Sequence, residues 1–590
     1  MTSSWRCHPS VGWFLLLTLT LTACAGQPQR LWLNAPGWSR AQLLDNTRVG
    51  DPVPVTFDDA GHMYILMISA GDRLSRLHLL ALDDKAAVVW DRTFDEIELL
   101  RPHHPRIIWD GTALQIFWLS DRQLYNVQVD AGGQLHSRPR ILSGKTNVGN
   151  YDVAQNARGA VTIWYAGSRH EPGLYALPPG DLGGEAVVVD AAGTRPDLQY
   201  DAAGALHAIW AQYPSGSGDK SFFYATSPDS SYPPGQGTVV AAPRAIGTTV
   251  LEGPRLGIDG QYAYVFWTRI FFSGPDAGTA RTEYVYFPLG QPYSVSPARQ
   301  LYVPHRYDLP YTTLPAGELE SGERVSLGSG FRGGSTYITE VAANPTSEQE
   351  LVITIHTRLA YLMQKQQSQV SAVFFQAGVP TGYQLLSFTP ASSTHPAIFS
   401  DDAGRLYLTW LEKGDLPGWA VYYASTTPGL REALGGVTPD DAGRLTAEVI
   451  FGLLAGAALI PVALTWIVPS MIVFGLAGRL RGVEERLTSP GSMVSLVLAL
   501  GVLWGIKLSV LPGILEYVPL SAWLPVIPSW LKSPFRLGVP LLIAGLAFLA
   551  AWNYAYRRVE SSIFGFWVVY AVVDAILTMA VYGVLVYAVA

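Results

Sequence analysis

The stretch RPDLQYDAAGALHAIW, Arg195 to Trp210, reads as a strand, a tight reversal and a returning strand. Apolar residues alternate through Leu198 and Tyr200, and again through Leu206, Ala208 and Trp210. Between them, Asp201 is placed to accept a hydrogen bond from the backbone two residues on, and Gly204 tolerates the positive φ of such a turn. The unit recurs as PVPVTFDDAGHMYILMI from Pro52, HPRIIWDGTALQIFW from His104 and NYDVAQNARGAVTIW from Asn150. It returns as GPRLGIDGQYAYVFW from Gly253 and HPAIFSDDAGRLYLTW from His395. Trp118, Trp164 and Trp210 end three of these units at a spacing of 46 residues, the length of one propeller blade. A hairpin of this kind cannot bury its faces alone and has to stack against copies of itself.

Turn type and spacing covary. Units turning on Asp110-Gly111 or Asp259-Gly260 run 13 residues from Pro to Trp, whereas the Asp-Ala-Ala-Gly type runs 14. A third strand follows each hairpin, as in SFFYATS from Ser221 or AVYYAST from Ala420, and a fourth reads like SRPRILS from Ser137 or SPARQLYV from Ser296. Between Trp267 and Trp410 one more unit fits, with ELVITIHTRLAYLM from Glu350 as its central strand and His356 where the others carry Trp. The last unit lacks a fourth strand, and WSRAQLL, Trp38 to Leu44, is expected to supply it and close the ring. The polar, Gly-rich stretch from His305 to Gly334 reads as a long inserted loop. The expectation is an all-β propeller of about seven four-stranded blades, with the tryptophans filling the spaces between blades.

The units, the W-S-x-x-x-L-L strand and the Y-Y-A-[ST] third strand resemble the sialidase-like (BNR-repeat) β-propeller superfamily over roughly Arg30 to Gly436. Sialidases of that family set three arginines on the substrate carboxylate and use a Tyr–Glu nucleophile pair with an Asp acid/base. This chain departs from their motifs. Pro105-Arg106-Ile107 has the residues of the Arg-Ile-Pro motif in another order, and Leu406 and Tyr407 stand where the repeat box would end in Thr-Trp. No catalytic residue is assigned. Gly144-Lys145-Thr146 follows a β segment, with Pro139 where a P-loop needs its first glycine, and G-x-S-x-G, H-E-x-x-H and C-x-x-C do not occur. Neither a metal nor a cofactor is expected, since turn capping explains the repeated aspartates.

Polar residues cluster where the first strands open: His104, Arg106, Asn150, Asp152, Arg195, Asp197, Arg255 and His395. In a propeller these strands begin near one rim of the central channel. The group is the candidate ligand-binding face for a polar ligand, an anionic glycan or a partner loop.

The two ends of the chain speak of membranes. Residues 1–23 read as a signal peptide with an apolar run from Val11 to Leu21, too short to span a bilayer. Leu21-Thr22-Ala23-Cys24 resembles a bacterial lipobox, which implies lipidation of Cys24. The propeller is assigned to 24–436, a linker to 437–446 and a four-helix transmembrane domain to 447–590. Arg479, Arg481 and Arg486 follow the first span and Arg557 and Arg558 the third, so the positive-inside rule leaves the propeller and the C-terminus outside the cytoplasm. Lipid anchor and helices together imply the bacterial inner membrane. The segment from Glu516 to Arg536, with Trp523 and Trp530, is expected to lie along the membrane surface. Lys507 and Asp574 sit at neighbouring depths inside apolar spans and form a candidate intramembrane ion pair.

A net charge of −7 offers no polycation for nucleic acid, and two cysteines, Cys7 and Cys24, leave the propeller without disulfides. The sequence therefore reads as a membrane-anchored extracytoplasmic propeller that binds or scaffolds a glycan or an envelope protein. A membrane-bound sialidase-like glycoside hydrolase and an accessory subunit of a transport or secretion complex are the alternatives.

Overall fold

The computed structural model describes most of residues 35–589. Segments 1–34, 214–219, 228–235, 305–323, 328–334, 345–349, 435–441, 482–488, 512–528 and 558–561, with some shorter gaps, lie outside the description. Cys24 and the signal segment therefore lie outside the described residues. Leu33–Gly436 is one compact unit, and Val437–Ala590 belongs to a second.

The hairpins become seven blades. Blade 1 runs Val55–Phe57, Met63–Ala70, Ser75–Leu82 and Val88–Leu99, and blade 2 runs His103–Trp109, Leu114–Ser120, Gln123–Val129 and Arg140–Ile141. Blade 3 is Val148–Gln155, Val161–Gly167, Leu174–Ala176 and Val187–Asp190; blade 4 is Gly193–Tyr200, Leu206–Gln212, Ser221–Ser227 and Thr238–Ala241. Blade 5 follows with Thr249–Ile258, Tyr262–Phe271, Ala280–Pro288 and Arg299–Gln300. In blade 6, Ile338–Ala343, Leu351–Leu362, Lys365–Gln376 and Val379–Leu385 are joined by a fifth strand, Val325–Ser326, on the outer edge. That short strand comes from the stretch read in the sequence as loop alone.

Blade 7 combines Ser393–Ser400, Leu406–Lys413 and Trp419–Ser425 with Gln42–Thr47 from the start of the propeller. The closing strand pairs antiparallel from Gln42 opposite Tyr423 to Thr47 opposite Trp419, so it begins later than Trp38. Trp38 instead turns inward, buried, with its indole donating to Gln384 at 3.0 Å. Ser39 and Ser425 exchange two hydrogen bonds, at 2.6 and 3.0 Å, and continue the closure past the strand end.

First strands of successive blades lie against one another and so surround the axis. The core sits between blades as a series of separate clusters. Trp118 packs with blade 1 side chains, Trp267 with blade 4 and Trp410 with blade 6. Trp164 breaks the phase. It faces blade 4, where its ring centre lies 5.9 Å from that of Trp210, and Tyr165 takes the position facing blade 2. Blade 6 differs likewise. His356 pairs with Thr339, which places Ile355, not His356, at the tryptophan position.

The turn aspartates hold their turns. Asp58, Asp110, Asp259 and Asp401 each accept the amide two residues on, at 2.8 to 3.0 Å. Their second oxygens then reach the returning strand at Tyr64, Gln115, Tyr264 and Tyr407. In blade 4, Asp201 meets His207 at 3.0 Å, and His207 meets Tyr224.

Among the described residues of the second unit, four helices are long and apolar enough to cross a membrane: Ile460–Arg479, Pro490–Val510, Pro534–Tyr556 and Ile563–Gly583. The first opens as a 3₁₀ turn, Ile460–Ala463, containing Pro461, which lacks an N–H for α-helical bonding. The third begins earlier than the sequence predicts, since Ser529–Tyr556 is one continuous helix. Of the segment assigned to the membrane surface, Ser529–Arg536 is thus helix and the part before it lies outside the described residues.

Candidate functional site

The rim is built from one repeated distortion. In blades 2, 4, 5, 6 and 7 the pairing of the first two strands skips, so two residues of the first strand face one residue of the second. The first bulged residue is His104, Arg195, Gly253, Glu340 or His395, and all five have φ between 50° and 96°. Only Gly253 adopts that conformation without a Cβ penalty. The other four are held in a strained backbone, a condition that clusters at binding sites. Four of the five precede a proline. Bulges bend the strand and re-aim its side chains, and here they set the residue two positions on, Arg106, Asp197 or Arg255, in one register. Blade 3 has Tyr151 instead of proline and skips earlier, between Val148 and Asn150, yet Asp152 occupies the matching position opposite Trp164.

Side chains staple the first strands of blades 2, 4, 5 and 7 to the blade before each. Asp51 accepts the His104 amide at 2.9 Å, Asn150 the Arg195 amide at 2.9 Å and Glu340 the His395 amide at 2.6 Å. Asp152 accepts the Leu198 amide at 2.7 Å, and Asp197 the Leu256 amide at 2.6 Å.

The remaining carboxylate oxygens take arginines. Arg106 Nε lies 3.5 Å from Asp152 Oδ1, and Arg255 Nη1 lies 3.0 Å from Asp197 Oδ1. The Arg106–Asp152 and Asp197–Arg255 ion pairs thus form one chain across blades 2 to 5, joined by the Leu198 amide that Asp152 accepts. The acids are the more buried member of each pair: Asp152 is 9% exposed against 28% for Arg106, and Asp197 15% against 45% for Arg255. Burial, with Asp197 adding its charge, pushes the Asp152 carboxyl up to about 6, against the pull of Arg106 and Arg255. Partial burial also lowers the His104 imidazole, with Arg106, His103 and Arg255 acting the same way and Asp51 opposing.

Arg195 does not join this chain. Its guanidinium donates to the carbonyls of Leu251 and Gly253, at 2.7 and 3.3 Å, and lies over the Tyr213 ring. It braces the start of the strand that carries Arg255. His395 stands apart as well, near Glu340, whose carboxylate also approaches His356 Nδ1 at 3.5 Å. Burial raises the Glu340 carboxyl and lowers the His356 imidazole. Asp51 and Glu340 were not legible as site residues. Asp51 lies one residue ahead of its repeat unit, and Glu340 precedes valine instead of proline.

A cleft on blades 4 and 5 is lined by Arg244, Trp267, Arg269 and Glu283. In the helical unit, Lys507 Nζ lies 2.9 Å from both Asp574 oxygens, with both side chains fully buried. The ammonium also sits 4.3 Å from the Trp504 ring, whose indole donates to Tyr570.

No protein-family model matches the chain, and no curated protein matches it in sequence. Solved structures similar to it include polysaccharide lyase Uly1, at 12% identity over 69% of this chain and 95% of that one, with a TM-score of 0.40. A protein of unknown function from Dyadobacter fermentans shares 8% identity over 65% and 98%, with a TM-score of 0.34. A subtype N10 neuraminidase-like protein of A/little yellow-shouldered bat/Guatemala/060/2010 shares 11% identity over 65% and 99%, with a TM-score of 0.26. Likeness at this level carries no argument about chemistry or substrate.

Proposed function

We propose that the propeller is a binding module, held at the outer face of a bacterial inner membrane, whose rim takes an anionic glycan. One observation carries this reading: Asp152 is buried and Asp197 partly so, and Arg106 and Arg255 are the more exposed member of each pair. A guanidinium fixed by a carboxylate and still open to solvent is preorganised for a second carboxylate, because its fork of donors is already in place. Both oxygens of each aspartate are engaged, by an arginine and by a backbone amide, which favours binding over acid/base catalysis at this site. Arginines on a sugar carboxylate are also what the sialidase-like resemblance implies. The helices and the Cys24 lipid tether the module, and the arginines after the first and third spans support an extracytoplasmic propeller.

The test is binding of polygalacturonate, a homopolymer of uronate, to the full-length protein in nanodiscs. Losing either Arg106 or Arg255 to Ala is expected to weaken binding by about tenfold to a hundredfold, the range of a hydrogen bond to a charged group. Unchanged binding in the double variant would overturn the reading.

A further inference from the structure

The rim chain has an uneven charge economy. Asp197 holds Arg255 at 3.0 Å, whereas Asp152 stands at 3.5 Å from Arg106 and is the more deeply buried acid. Asp152 also accepts the amide of Leu198, the residue after Asp197, so the two carboxylates occupy consecutive links of one short chain. Charged and titratable groups that face Asp152 are Arg106 from blade 2, Tyr151 on its own strand, Asp197 from blade 4 and Arg255 from blade 5. With Asp152 buried and a second carboxylate on the next link of the same chain, ionisation of Asp152 is disfavoured.

We propose that Asp152 is a proton switch for the rim, a reading that rests on the anionic-ligand function above. With Asp152 ionised, Arg106 and Arg255 are balanced by two carboxylates and the chain is neutral. With Asp152 protonated, one of its oxygens still accepts the Leu198 amide, Arg106 loses its counter-charge, and the chain presents a net positive charge to the ligand. The direction of the Asp152 shift, upward into the mildly acidic range, agrees with this geometry.

The experiment measures polygalacturonate affinity of the full-length protein in nanodiscs between pH 7.5 and pH 5, where the uronates stay ionised. Wild type is expected to bind about tenfold more tightly at pH 5, the effect of one charge removed close to the ligand. Asp152→Asn keeps the acceptor for Leu198 and is expected to bind at pH 7.5 as tightly as wild type does at pH 5, with a flat profile. If that variant does not fold, Arg106→Gln serves instead, because the carboxyl acts through Arg106 and its loss flattens the profile while Arg255 still binds. Binding that is independent of pH in wild type, or a variant profile as steep as the wild-type one, would overturn the switch and leave the binding function standing. No binding at either pH overturns both.

Discussion

Asp197 holds Arg255 with one carboxylate oxygen, at 3.0 Å, and the Leu256 amide with the other, at 2.6 Å. One side chain thereby joins two blades and positions Arg255, the more exposed of the two rim arginines. Asp197→Ala is expected to lower stability by roughly 1.5–3 kcal/mol, since a backbone donor at the blade boundary loses a charged acceptor. Chemical unfolding of the full-length protein followed by tryptophan fluorescence measures this, and a loss below about 0.5 kcal/mol would contradict the staple.

Stability should also report the Asp152 carboxyl. Its folded-state value, about 6, lies above the ordinary carboxylate range, so the folded protein holds the proton more tightly than the unfolded chain. The contribution is fully present at low pH and is lost as pH rises through about 6. Asp152→Asn cannot make that transition. Relative to wild type, the variant should gain about 1–3 kcal/mol between pH 4 and pH 8, measured by unfolding midpoints at each pH.

His104 tests the strained bulge. Its φ is 52°, and the side chain is about half exposed. Glycine there should be neutral or stabilising by up to about 1 kcal/mol, and valine destabilising by at least about 1 kcal/mol, because a β-branched residue fits the left-handed region worst. Paired thermal unfolding curves decide it.

Closure of the ring depends on Trp38 as well as on the strand after it. The side chain is buried against Ile398, Leu408 and Trp410. Trp38→Ala should cost about 3–5 kcal/mol and expose blade 7 to proteolysis. A wild-type digestion pattern would contradict this.

In the helical unit, Lys507→Met leaves the Asp574 carboxylate buried without its partner. The expected loss is about 3–5 kcal/mol, seen as reduced yield of monodisperse protein, with recovery in the Lys507→Met/Asp574→Leu double variant. Size-exclusion profiles of the three proteins provide the comparison.

Blade architecture was readable because each turn has a local chemical signature. The Asp and Gly of a hairpin fix strand ends, and the alternating residues fix faces. Phase within a blade was harder to read. Trp164 matches its neighbours in spacing, but the Asn156 turn is of the longer type and places Tyr165, one residue on, at the shared position. His356 was misplaced by the same single step, since nothing in a strand of continuous apolar and Thr residues marks the bulge opposite it. At the rim, Arg106, Asp152, Asp197 and Arg255 stood out by position in the repeat. Arg195 stood out equally and turned toward Leu251, because a left-handed bulge residue does not aim its side chain along the strand pattern. Side-chain direction at a bulge is a tertiary property, and no local period encodes it.

The central claim is that the rim reads negative charge on a sugar polymer. The most direct measurement compares full-length protein in nanodiscs binding polygalacturonate and its carboxyl-reduced counterpart at pH 5, where both chains have the same backbone and length. Affinity for the reduced polymer is predicted to fall at least about tenfold, in step with the loss produced by Arg106→Ala. Equal affinity for the two polymers, or binding to neither, would contradict the account.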